Sequence, residues 1–108
     1  MALEHRDHDQ LIIQAELPGL DPDRDIEVWV SHAVLHIRAR KPRGAPEHPA
    51  GSDLSDGEFS RDIALPADAG ADAVVASYSD GRLEVRTPLG VGRADAARRV
   101  PVRAQRPS

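Results

Sequence analysis

Leu11, Ile13, Ala15 and Leu17 share one phase of a two-residue period, with Gln14 and Glu16 on the other phase. That alternation is a strand with one buried and one wet face. Pro18-Gly19 stops it, and Asp21-Pro22-Asp23 continues the turn. Ile26, Val28 and Val30 form the next inward phase, with Glu27, Trp29 and Ser31 facing away. A short break at His32-Ala33 precedes Leu35, Ile37 and Ala39, which alternate with His36, Arg38 and Arg40. Phe59, Arg61, Ile63 and Leu65 share a later phase that ends at Pro66. Then Val74, Ala76 and Tyr78 run into Asp80-Gly81, and Leu83, Val85 and Thr87 follow. This last unit predicts a β-hairpin, because Asp-Gly tolerates the positive φ of a two-residue turn. Ala76 is small and in the buried phase, so another backbone can approach closely there. Period-two segments without a convincing amphipathic helix indicate an all-β, antiparallel β-sandwich.

Residues 1–9 are polar and are expected to be disordered. Residues 10–89 form the domain, and 90–108 form a flexible tail holding the isolated triplet Val100-Pro101-Val102. Proline fixes its own φ and biases Val100 toward extended geometry. In a strand the two valines point to one side, which suits a peptide adding to a sheet edge. Residues 42–57 are rich in proline and glycine and lack a period, which is long for a structureless loop in so small a domain.

These segments, in this order, resemble the alpha-crystallin domain of small heat-shock proteins, an immunoglobulin-like sandwich. The resemblance is carried by Ala15-Glu16-Leu17-Pro18-Gly19-Leu20 with Asp25-Ile26-Glu27-Val28, by Val34-Leu35-His36-Ile37-Arg38-Ala39, by Phe59-Ser60-Arg61-Asp62-Ile63-Ala64-Leu65-Pro66, by the Ala76…Gly81…Leu83 hairpin and by Val100-Pro101-Val102. It implies an ATP-independent holdase that binds unfolding proteins and assembles from homodimers, with higher oligomers built through tails. It implies a groove for the tail at Ile26, Val28, Val30 and Val75. It implies a dimer interface at Arg61 and at Asp53, Leu54 and Ser55, the strand-like part of a loop that swaps into the partner in bacterial relatives. The chain departs from the family in its short polar start, where relatives carry a long apolar arm. It departs again at Arg82, where relatives usually have an apolar residue; Arg82 is expected on the wet face. An alternative is a co-chaperone-like adapter with one defined protein partner.

Composition narrows the function. The chain has 108 residues, no cysteine, a formal net charge of −4 and 3% aromatic residues. Disulfides and thiol chemistry are therefore excluded. An acidic chain with few stacking platforms argues against a nucleic-acid partner. Nothing in it suggests a membrane span or signal peptide, so the default location is cytoplasmic. His5, His8, His32, His36 and His48 form no ligand-like cluster, and no nucleophile elbow or phosphate loop is present. No catalytic residue, metal or cofactor is expected. Charge is uneven: Arg93, Arg98, Arg99, Arg103 and Arg106 stand against Asp95 alone, so the tail is basic.

Overall fold

The computed structural model describes residues 2–42, 53–54, 57–90 and 98–104. The strands are β1 (Leu3–Arg6), β2 (Gln10–Glu16), β3 (Ile26–Ser31), β4 (Val34–Arg40), β5 (Glu58–Ala64), β6 (Val75–Ser79), β7 (Arg82–Pro88), β8 (Arg98–Val100) and β9 (Val102–Ala104). A short 3-10 helix, Ala71–Ala73, precedes β6. One sheet runs β1-β2-β7-β6-β9 and the other β5-β4-β3-β8. All neighbours are antiparallel except β6 and β9, which are parallel. No helix among the described residues is long and apolar enough to cross a membrane.

The alternation read from the sequence determines which side chains meet between the sheets. Leu11, Ile13, Ala15, Leu83 and Val85 are buried from the first sheet, against Ile26, Val28, Val30, Leu35, Ile37 and Ala39 from the second. Their partners in sequence, such as Gln14, Glu16, Arg82 and Glu84, lie on the outer face of the first sheet. There they form cross-strand pairs: Arg82 Nε donates to Glu16 at 2.7 Å and Gln14 Nε2 to Glu84 at 3.1 Å. Arg82 is thus on the wet face.

β1 lies where the sequence suggests disorder, and the sandwich begins at Leu3. All four of its residues are exposed, so burial has no part in forming it. It is held by its ladder to β2 and by a turn in which Asp7 Oδ1 accepts the N–H groups of Asp9 and Gln10 at 2.8 and 3.0 Å. An edge strand held by backbone pairing leaves no hydrophobic trace. Likewise β8 and β9 carry ordered pairing into the tail.

The β3–β4 turn is tight and lacks glycine. His32 and Ala33 sit at φ of 52° and 63°. The left-handed region costs an L-residue roughly 1–2 kcal/mol, while glycine loses about 0.5–1 kcal/mol more entropy on folding. Ala33→Gly is therefore expected to stabilise the fold by about 0.5–1 kcal/mol, seen as a rise of a few degrees in thermal unfolding.

Candidate functional site

On one side of the sandwich the last strands before the tail are β3 and β6, and the tail strands β8 and β9 extend the two sheets there. β8 runs antiparallel along β3, with Val100 opposite Val28 and Arg99 opposite Trp29. β9 then runs parallel along β6, with Val102 opposite Ala76 and Ala104 opposite Tyr78. One extended segment therefore bonds to both sheets. Pro101, which has no N–H to donate, lies at the crossover and is exposed. Val100 is only 2% exposed and Val102 packs partly buried against the core.

The residues expected to line a groove are placed as follows. Ile26, Val28 and Val30 are buried on the inner face of β3. They contribute to the core, and Val28 also pairs with the tail. Val75 belongs to β6 but is 54% exposed, on the outer face beside Ser77, Arg82, Glu84 and Arg86. The period of two puts Ala76, fully buried, in the position facing the tail. Its small side chain is the sequence signal for that close approach.

Arg61 shares its phase with Phe59 and Ile63, yet its side chain is 43% exposed and lies 3.5 Å from the Glu4 carboxylate. β5 is an edge strand, so the guanidinium leaves sideways and reaches β1 of the other sheet. Asp53 is tied to β2: its N–H donates to Glu16 O at 2.7 Å, and its carboxylate accepts the Glu16 N–H at 2.6 Å. Leu54 is completely buried in the core of its own chain. Ser55 lies outside the described residues.

The Tyr78 hydroxyl is a feature that alternation alone does not reveal. It donates to Leu17 O at 2.6 Å and accepts the Leu20 N–H at 3.2 Å. One side chain thereby ties the Pro18-Gly19 turn to β6, a wall of the tail seat. The available signal was a polar-tipped aromatic in a buried phase.

Several charges on the outer faces are paired. Asp62 lies 2.7 Å from His36 Nδ1 and 2.9 Å from Arg38 Nη2. The hydrogen bond to His36, then that to Arg38, holds the Asp62 carboxyl below its ordinary value. On the other sheet the hydrogen bond from Arg86, with a smaller one from Gln14, lowers Glu84 against the opposing effect of burial. A depressed folded value means stability that is present above the unfolded value and lost as pH falls through the folded one. For Glu84 the unfolded value is 4.5 and for Asp62 it is 3.8. Denaturant unfolding at a series of pH values should show stability falling as pH drops below this range, with a shallower fall in Glu84→Gln, Asp62→Asn. Among the described residues no group of three or more His, Asp or Glu could hold a metal ion.

The Hsp20/alpha crystallin family model matches residues 3–103, from β1 through the first part of β9. The chain belongs to the Hsp20/alpha crystallin family. A small heat-shock protein from Xylella fastidiosa has a similar solved structure, with a TM-score of 0.65 and 33% identity over 82% of this chain and 84% of that one. Among sequences, Alpha-crystallin of Mycobacterium tuberculosis (strain ATCC 25618 / H37Rv) is 33% identical over 81 residues, 75% of this chain and 56% of the relative. An 18 kDa heat shock protein of Streptomyces albus G is 32% identical over 88 residues, 78% and 60% of the two chains. The chain thus spans a little over half the length of these curated relatives. The family fold is the β-sandwich described above, and the match includes both the tail strands and the Arg61 strand.

Proposed function

We propose that this small heat-shock protein is an ATP-independent holdase, which binds partly unfolded proteins and assembles from dimers through tails seated in grooves. The observation that carries the reading is the seat of Val100 and Val102 between the β3 and β6 edges. Edges that accept one extended apolar segment offer the same backbone groups and apolar floor to another. Burying two valines and forming ladder hydrogen bonds to β3 and β6 stabilise the seat, while ordering an extended tail opposes it. The balance is small, so the tail exchanges between its own groove and a neighbour's, and several tails on one assembly hold it together by effective concentration.

For the dimer, the reading keeps Arg61 on the side where β1 and β5 end their sheets. The Asp53-Leu54-Ser55 segment is the element to be swapped. Exchange of an identical segment between copies would preserve the Asp53–Glu16 bonds and the buried seat of Leu54 while adding intersubunit contacts.

The test has two parts. The chain should suppress the light scattering of a heat-denatured client enzyme without ATP. Its solution mass should exceed that of a dimer and drop to a dimer in Val100→Ala, Val102→Ala. A chain that leaves client scattering unchanged is not a holdase. The alternative is a co-chaperone-like adapter with one defined protein partner. A mass unaffected by the double substitution, together with no client protection, would select it.

A further inference from the structure

The outer face of the tail seat carries a second recognition element. Trp29 stands on β3 with its ring stacked on His36 of β4, centroids 4.8 Å apart and planes 16° from parallel. Arg38, also on β4, holds its guanidinium carbon 5.5 Å from the Trp29 ring centroid and is paired with Asp62. β3 lies between β4 and β8 in this sheet, and the cation over the Trp29 ring in the seated structure is Arg38. The β8 residue directly across from Trp29 is Arg99, the residue before the first valine of the tail. Side chains directly opposite on one face of an antiparallel pair have Cβ atoms about 4.5–5.5 Å apart. A guanidinium at that position is within reach of the indole edge or face, and an indole is the best of the aromatic partners for a cation.

We infer that Trp29 reads the residue preceding the first valine, and that the groove selects a cation there as well as the two apolar anchors. The occupant is the segment 98–104 of this chain, seated in its own groove. The inference rests on the tail-in-groove reading and adds a sequence requirement to it: basic, apolar, any residue, apolar, in extended form. It also fixes register. A slip by one residue would turn both valines outward and place one of them against Trp29. The competing partner for Arg99 is Glu27, which lies diagonally from it on the same face and lines the same hollow beside the tail.

Amide hydrogen exchange of the full chain tests this, with the β9 amides reporting tail release and the β7 amides reporting global opening. Arg99→Gln should lower protection of the β9 amides about two- to fivefold, the range of an exposed cation–π pair, with β7 unchanged. Arg99→Lys should retain much of the protection. In a Trp29→Leu background, Arg99→Gln should have no further effect. Unchanged β9 protection in Arg99→Gln overturns the inference. So does a loss that persists in the Trp29→Leu background, or one reproduced in full by Glu27→Gln. Val100→Ala, Val102→Ala separates the two readings. If it strips β9 protection while Arg99→Gln does not, the groove stands and the role of Trp29 falls. If β9 is unprotected in the parent, both fall.

Discussion

Leu54→Ala should destabilise the protein by about 2–5 kcal/mol, the range for truncating a fully buried leucine. The size is unexpected for a residue within the Pro- and Gly-rich stretch between β4 and β5. Leu54 nevertheless has no exposed surface and belongs to the same core as Ile13 and Ile37. Its position is fixed from outside by Asp53, whose backbone and carboxylate both bond to Glu16. Removing the isopropyl end of the side chain leaves a void that a sandwich braced by two ladders cannot readily close. Asp53→Ala should cost less, about 1–2 kcal/mol, because it removes one acceptor for a part-buried N–H. Urea unfolding of both variants measures this. The concentration dependence of the midpoint adds the functional information. If Leu54 sits in the core of its own chain, the midpoint is independent of protein concentration. If the segment swaps between copies, the midpoint rises with concentration and Leu54→Ala reduces that dependence. A loss well below 1 kcal/mol would mean that Leu54 is not a core residue in solution.

Most of the sandwich was legible in the chain because one face of each central strand is buried. β2, β3, β4 and β7 alternate clearly, and the structure buries the apolar phase of each, while in β6 Ala76 is buried and Tyr78 half-buried. β1 was invisible for the opposite reason: a wholly exposed edge strand needs only backbone partners. The parallel pairing of β9 with β6 could not be read either. It depends on where the tail arrives in space, and hydropathy carries no such information. At the candidate site the two valines of the tail and the small Ala76 were readable as shapes that fit together. Val75 is apolar and on the right strand, yet period two places it on the outer face. Arg61 looked like a cation in a core phase, and only the position of β5 at an edge shows how its charge reaches Glu4. The Trp29–His36–Asp62 row was also beyond reach of the sequence, since it needs the registers of three strands at once.

Gly81→Ala should cost roughly 2–4 kcal/mol, while Gly19→Ala should cost only about 1 kcal/mol. Both glycines have left-handed backbone, with φ of 76° and 77°. An alanine at either site pays the conformational cost of that region, partly offset by lower entropy of the unfolded chain. Their surroundings differ. A Cβ at position 19 would meet nothing within 4 Å. At position 81 it would stand 3.1 Å from Pro18 Cα and 3.3 Å from Pro18 Cβ, against backbone and ring that cannot swing aside. Relief requires the β6–β7 hairpin to shift from the end of β2, where the Leu17 N–H donates to Gly81 O at 2.7 Å. That shift would also stretch the Tyr78 bonds to Leu17 and Leu20 and so loosen β6, one wall of the tail seat. Thermal unfolding should show a much larger fall in Tm for Gly81→Ala than for Gly19→Ala. Tail amide protection should fall in the first variant and hold in the second. Equal losses of stability would show that φ alone sets the cost and that the contact with Pro18 yields freely. In that case the hairpin is not held rigidly enough for its tip to govern the groove.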